Sequence, residues 1–546
     1  MKPMMLMTRA SLASLAALAA LAALALAAPA AAQNGLPVPY DRLLKADDEP
    51  GNWLMYSGNY RSYRHSRLAQ ITPANVGRLR PKWIYQMRTT QKVETSPLVV
   101  EGVMYVTRPP NDVVAIDAET GRRLWSYFHR VPEGIRTCCG QVNRGLAVLG
   151  DRLFMATVDA KLLALDARNG RLLWSVNLVE NHRDGYAATL APLAIKDKVI
   201  VGIAGGELGV RGFIDAYNAA TGERAWRFYT IPAPGEPNFG TWAGDSWKTG
   251  GAPAWVTGSY DPELNLTYWG TGNPGPDWNG DGRPGDNLYS DSMLALDPDS
   301  GKLKWFFQFT PHDIHDWDAT EIPVLIDASF RGRPRKLLLH PNRNGFFYVL
   351  DRETGEFLLA KAYVKQTWAK EIDDKGRPVR VPGQEPSLEG IAVWPGVNGG
   401  MNWFSPSYSP VTGLIYLAAK EQGEIYFKTN AEYKAGDSFT GGGSRPIPDD
   451  PGYGVVRAIA PETGDVKWEY RLVTAPWGGV LSTAGNLVFG GTIEGNVFAL
   501  DARTGKNLWH FPLGGAVFAN PVSYLSNGKQ HIAIAAGDVL AAFAPE

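Results

Sequence analysis

The sequence predicts an all-β protein, an eight-bladed β-propeller built from four-stranded antiparallel blades. Two observations lead there. A short motif recurs along the chain, from Ala115 to Trp125, Ala164 to Trp174, Ala216 to Trp226, Ala295 to Trp305, Val349 to Leu359, Ala458 to Trp468 and Ala499 to Trp509. The composition, with 60 Gly, 39 Pro, 18 Trp and 22 Tyr, favours many short strands joined by tight turns over helices.

Each copy has a local physical reading. An apolar run ends at Asp or Asn (Asp117, Asp166, Asn218), whose side chain can bond its own backbone two residues on and start a turn. Gly then supplies the positive φ of a tight hairpin, and a second strand carries Trp into a buried seam. In the copy at Val349 the seam residue is Leu359. One such hairpin cannot bury its apolar face alone, so neighbours must cover it. The copies end 49, 52, 79, 54, 109 and 41 residues apart. The longest gap is about two periods of a propeller repeat, and the turn Ser409-Pro410-Val411-Thr412-Gly413 inside it reads as a degenerate eighth copy. Segments 227–294 and 364–404 read as long loops on one face. The run Pro81 to Tyr85 has no repeat partner and is expected to complete the last blade and close the ring.

The N-terminus carries Lys2 and Arg9, an Ala/Leu run from Ser11 to Ala28, then Pro29 and Ala30, Ala31, Ala32. That order reads as an export signal over 1–32, cleaved before Gln33, leaving 33–546 as one catalytic propeller domain in the periplasm. A permanent membrane anchor is the rival reading; the A-x-A ending and the polar stretch after it favour cleavage. No second long apolar run follows. A net charge of −1 gives no electrostatic footprint for nucleic acid or an anionic membrane surface. The two cysteines are adjacent, Cys138 and Cys139, so neither a C-x-x-C-H haem attachment nor a thiol-rich zinc site is present. Export favours their oxidation to a vicinal disulfide, a rigid flat lid suited to a planar ligand. The alternative is two small core residues in contact.

Several further stretches stand in order along the chain: Cys138-Cys139-Gly-Gln-Val-Asn143-Arg144-Gly145, Gly206-Glu207-Leu-Gly-Val-Arg211-Gly212, Thr241-Trp242-Ala-Gly-Asp245, Gly270-Thr-Gly-Asn273-Pro274, Pro311-His-Asp313-Ile-His-Asp316-Trp-Asp318, His340-Pro-Asn-Arg343-Asn344-Gly345, Gly400-Met-Asn402-Trp403 and Trp477-Gly-Gly. Together they resemble the methanol and ethanol dehydrogenases that depend on pyrroloquinoline quinone (PQQ). The resemblance implies a quinone ring stacked on Trp242 under the Cys138–Cys139 disulfide. It implies cofactor contacts from Glu94, Arg144, Thr189, Gly205, Gly206, Glu207, Thr241, Arg343, Asn402, Trp403 and Trp477. Arginine forks match the cofactor's three carboxylates. Ala204 stands where the family often has Ser, which removes one cofactor hydrogen bond.

The resemblance further implies a metal held by Glu207, Asn273 and Asp316, all oxygen donors as a hard cation requires. Asp316 would be the general base and Arg343 its catalytic partner. Asp318 resembles the lanthanide-dependent branch, and an additional carboxylate compensates a trivalent ion, so a lanthanide is expected ahead of Ca2+; the bland reading makes Asp318 a supporting acid. The expected reaction is oxidation of a primary alcohol to an aldehyde, with electrons passed to a separate cytochrome c because no haem is attached. A homodimer is compatible with this reading. Two motifs read as decoys. His312 and His315 lack further zinc ligands, and Asp277-Trp-Asn279-Gly-Asp281-Gly282 starts like an EF-hand loop but has Leu288 at position twelve. Two other functions share the repeat: a non-catalytic scaffold for outer-membrane protein assembly, and a quinoprotein acting on sugars.

Overall fold

The computed structural model describes residues 36–546; the expected export signal lies outside them. The fold is an all-β, propeller-type array of antiparallel sheets. Among the described residues the helical elements are Tyr40–Leu44 and short 3-10 turns, and no helix is long and apolar enough to cross a membrane. Seven sheets of four antiparallel strands span 98–127, 147–177, 193–229, 259–308, 324–362, 407–472 and 481–512. His65–Ser66 adds a parallel fifth strand to the last of these. An eighth four-stranded sheet joins Val522–Ser526, Lys529–Ala536 and Val539–Pro545 to Leu79–Gln86 from the other end of the chain, in register from Leu79↔Pro545 to Gln86↔Val539. The unpartnered strand expected at Pro81–Tyr85 is this one.

The turn chemistry is as the motif predicts. The Asp117 Oδ1 accepts from the backbone N–H of Glu119 and Thr120 at 3.1 and 2.9 Å, and Gly121 takes φ +73°. The turn glycine has a second duty. A methyl group added at Gly170 would fall 2.5 Å from the Trp125 ring of the preceding sheet. The same seat joins Trp174 to Gly222, Trp226 to Gly301, Trp305 to Gly355 and Trp468 to Gly505. Gly464 instead faces Lys361 and Leu359, the seam residue of the copy that lacks Trp. Trp509 meets Phe543 edge-on at 5.3 Å, and Trp83 of the eighth sheet sits on Gly121 of the first. Every sheet therefore docks on the next, and the last docks on the first.

Three expectations need correction. The turn at 409–413 is not a separate repeat. It joins Ser407–Ser409 to Leu414–Glu421 in the sheet that already carries the Ala458–Trp468 copy. The eighth sheet is the one shared by the two ends of the chain, and it lacks the motif because Leu79–Gln86 supplies its outer strand. The segment 227–294 is not one loop either, since it contains the paired strands Ser259–Asp261 and Leu266–Gly270. Likewise 364–404 holds a small hairpin, Ala369–Ile372 with Pro378–Arg380, and the strand Ile391–Val393.

Candidate active site

Chain direction places the chemistry. In a four-stranded antiparallel sheet, the entry to the first strand, the turn between the second and third, and the exit from the fourth lie at one end. The Asp–Gly repeat turns join the third and fourth strands and so lie at the other end. Glu94, Arg144, Thr189, Trp242, Asp316, Asp318, Asn402 and Trp477 all fall in connections between sheets. Glu207, Asn273 and Arg343 fall between second and third strands. All of these positions share one end, opposite the structural repeat.

Two clusters form there. In the first, Arg144 is buried, its Nη2 is 2.7 Å from Glu94 Oε2 and its Nη1 donates to Thr189 Oγ1 at 2.7 Å. Its guanidinium lies between two indoles, 4.9 Å from the Trp255 ring centroid and 4.7 Å from that of Trp403. Trp255 was not singled out in the sequence, where it is one of many tryptophans outside any motif. Burial raises the pKa of Glu94 despite the opposing pull of Arg144. Asn402 Oδ1 accepts from the Trp403 backbone N–H at 2.9 Å and its Nδ2 donates to Asn398 O at 3.2 Å, which fixes its amide.

The second cluster is acidic. Asp318 Oδ1 accepts from the Asn273 backbone N–H at 2.8 Å and its Oδ2 accepts from Trp255 Nε1 at 3.2 Å and from Arg343 Nη1. Arg343 Nη2 lies 3.6 Å from Asp316 Oδ1. Asn273 Nδ2 donates to Asp277 Oδ1 at 2.9 Å, which leaves its Oδ1 as the free acceptor; a methyl group on Gly206 would sit 3.9 Å from that atom. Asp277 is the acidic residue that motif reading misassigned. It belongs to the EF-hand-like run, yet that run does not converge: Asp281 pairs with Lys428 at the surface, while Asp277 is fully buried with its Oδ2 unpartnered.

The electrostatics follow from this crowding. Burial pushes Glu207 up to about 7, with Asp318 adding and Arg343 opposing. Burial lifts Asp316 well above the carboxylate range against the pull of Arg343, with Asp318, Asp277 and Glu207 adding. Asp277 is raised likewise, by burial first and then by Glu207. Four carboxylates, of which Asp277 and Asp318 are buried, are thus set against Arg343, with Arg283 acting on Asp277. That is a donor set for a hard cation, and the orphaned Asp277 Oδ2 fits it.

The cysteines form a vicinal disulfide, exposed, with Cys139 at φ +66°. Among the described residues, Cys138, Cys139 and Glu207 are the one trio of His, Cys, Asp or Glu whose ligand atoms lie within 4.8 Å of each other. The carboxylates of Glu207, Asp316 and Asp318 do not all lie within that distance of one another. Gly205, at φ +117°, brings the backbone so close to Gly185 O that a methyl group would fall 2.2 Å from it, and only glycine serves there. Trp242 is buried against Ile231 and Ala252, and its Nε1 donates to Leu288 O. Thr241 Oγ1 accepts from the Leu288 backbone N–H at 3.0 Å, so the Thr241–Trp242 pair is anchored at both residues.

The histidines are structural. His312 Nδ1 lies 3.0 Å from Gly285 O and His315 Nε2 lies 2.9 Å from Gln384 O. Trp317 is fully buried, stacked on His315 and packed against Trp368. It belongs to the core because Asp313 caps the loop: the Asp313 carboxylate accepts from the His315 and Trp317 backbone N–H groups at 3.1 and 2.8 Å. Asp316 then takes φ +59°.

Comparison with known proteins agrees with this arrangement. The family described as glucose/ethanol/alcohol dehydrogenase, beta-propeller domain, matches residues 53–378. A second family, outer membrane protein assembly factor BamB, matches residues 452–546. The quinoprotein alcohol dehydrogenase PedH of Pseudomonas putida is 40% identical over 92% of this chain and 88% of its own. The lanthanide-dependent methanol dehydrogenase of Methylacidiphilum fumariolicum is 38% identical over 91% of this chain and 86% of its own. A europium-containing methanol dehydrogenase superposes with a TM-score of 0.88 at 34% identity, covering 92% of this chain and all of that one. With a family match over more than half its length and relatives this similar along nearly all of it, the chain belongs to the PQQ-dependent quinoprotein alcohol dehydrogenases.

Proposed function

We propose that the chain is an exported, eight-bladed PQQ-dependent dehydrogenase that oxidises a primary alcohol to an aldehyde in the periplasm, with a lanthanide ion preferred over calcium. The observation that carries the reading is the acidic cluster. Burial raises the pKa of Glu207, Asp277, Asp316 and Asp318; Arg343 opposes it at Glu207, Asp316 and Asp318, and Arg283 opposes it at Asp277. Four carboxylates outnumber the two guanidinium groups set against them, and a hard cation would compensate the excess, a trivalent one most fully. A non-catalytic scaffold has no use for such a cluster. The closed sequence of seam contacts supports a ring of eight blades.

A bound quinone would supply a hydride acceptor for the alcohol carbon, and a bound cation would supply Lewis acidity. The residues of the chain do the rest. Glu207, Asn273, Asp316 and Asp318 would hold the cation, with Asp277 fixing the Asn273 amide so that its oxygen faces the site. Beside Arg343, the ionised Asp316 carboxylate would take the hydroxyl proton of the alcohol. Arg343 steadies both Asp316 and Asp318. Arg144, Thr189, Glu94, Asn402, Trp403 and Trp477 would bind and orient the cofactor, between Trp242 and the Cys138–Cys139 disulfide. Electrons would leave to a separate cytochrome c.

The test is reconstitution of cofactor-free protein with PQQ and either calcium or lanthanum, followed by dye reduction across an alcohol panel. Turnover of primary alcohols, higher with lanthanum, is expected. No turnover with either metal and no bound PQQ absorbance would overturn the enzyme reading, and calcium outperforming lanthanum would overturn the metal assignment. Reduction of a membrane quinone but of no soluble cytochrome c would overturn the acceptor.

A further inference from the structure

Lys420 belongs to no motif, and the mechanism above leaves it without a role. It lies on the strand Leu414–Glu421 and is 1% exposed. Its Nζ has no hydrogen-bond partner. The ammonium sits over an aromatic face, 3.0 Å from the Trp477 ring centroid and 5.7 Å from that of Phe404. Its backbone N–H donates to Gly400 O at 2.8 Å, and the Gly400 N–H donates to Arg343 O at 2.9 Å. Lys420 is thereby tied to the loop that carries Asn402 and Trp403 and that abuts Arg343.

A buried ammonium needs an anion or must give up its proton. The protein supplies no bonded anion here. Glu424, the nearest acid by its influence, is engaged elsewhere: its Oε2 accepts from the Val397 N–H at 2.9 Å. Glu421, the next residue along, pairs with Arg457 at 2.7 Å. Burial, with Arg343 adding, holds the Lys420 pKa well below that of a free lysine. Cation–π contact with Trp477 offsets part of the desolvation and leaves the three ammonium hydrogens without acceptors.

We propose that Lys420 is a cofactor-binding residue whose ammonium receives a carboxylate of the quinone cofactor at the Trp477 side of the site. This rests on the PQQ reading and extends it. A tricarboxylate ligand asks for several cations, and Arg144 is already committed to Glu94 and Arg343 to Asp318, each a buried acid of the protein itself. Lys420 is a buried cation with no such commitment.

The full-length protein, produced without cofactor, is titrated with PQQ and with PQQ trimethyl ester at fixed lanthanum, following tryptophan quenching. Lys420→Gln should weaken PQQ binding by about tenfold or more, the scale of a charge-assisted hydrogen bond. Lys420→Arg should restore most of it, and the ester should bind wild type and Lys420→Gln alike. Equal PQQ affinity in wild type and Lys420→Gln would overturn the proposal, as would an equal loss for acid and ester. A second readout needs no variant. PQQ pre-activated with a carbodiimide and added to the wild-type protein should couple to Lys420, read by peptide mass spectrometry; coupling only at other amines would overturn the proposal. Absence of any saturable quenching in wild type would instead refute the PQQ reading itself.

Discussion

Arg144 shows how a single side chain can be held for binding. Two indoles fix the plane of its guanidinium, Glu94 and Thr189 fix its nitrogens, and its Nε remains unpartnered. Asp318 is held just as firmly, by Asn273, Trp255 and Arg343. Replacing it with Asn keeps the shape and removes one charge. Asp318→Asn should lower lanthanum-supported turnover by about tenfold or more while affecting calcium-supported turnover less, since the trivalent ion loses more Coulomb energy. Asp277→Asn can still accept from Asn273, so it too isolates charge. It should weaken binding of a luminescent trivalent probe such as terbium by about tenfold, and calcium by less, with the cation-free melting temperature no lower than that of wild type. Of the positions that the motif resemblance singles out, Asn273, Asp316 and Asp318 are linked through one another and Arg343. Asp277 and Lys420 were not legible, because each makes its contacts through the fold; Lys420 belongs to no motif. Asp277 in particular sits in a run whose spacing points to a different kind of site.

At the scale of the element, the repeat turn carries two constraints at one residue. Gly170 needs a left-handed backbone and also seats Trp125. Gly102 has a similar φ, +81°, with nothing near its missing side chain. Gly102→Ala should therefore cost about 1 kcal/mol, from backbone strain alone. Gly170→Ala should cost about 3 kcal/mol, because the indole must also move. Chemical denaturation of the two variants separates the terms, and equal losses would mean that the seam yields freely. The turn chemistry was legible in sequence because it is local. The seam partner was not, since Trp125 and Gly170 belong to different repeats and only packing pairs them. The same distinction explains the misreading at 409–413, where a turn of the right composition joins a different pair of strands.

For the whole molecule, the acidic cluster couples stability to cation and to pH. In cation-free protein Glu207 titrates near 7 against 4.5 when free, so the folded state binds more protons than the unfolded one between those values. Stability from this group is full below pH 4.5 and is lost as pH rises through 7. The buried neutral histidines His65 and His340, lowered to about 4 and about 3, act in the opposite sense, costing stability as pH falls below 6.5. Their effect is common to cation-free and cation-loaded protein and cancels in the difference. The rise in melting temperature on adding lanthanum should therefore grow from pH 5 to pH 7, with protons released on binding. A rise that is flat or shrinks over that range would show that the cluster is not where the cation binds. The sheet shared by the two ends of the chain contains no copy of the repeat, so counting repeats does not reveal it.

That shared sheet sets a schedule. Leu79 pairs with Pro545, so a strand made early in synthesis waits for the last residues of the chain before it has a partner. Trp83 waits with it, and the seat for it on Gly121 stands ready long before the strand is in place. If the chain is exported while extended, that strand crosses unpaired and presents a bare edge until the other end arrives. Folding to the finished state is then a single late event at the meeting of the two ends, and a chain clipped near either terminus would stall there.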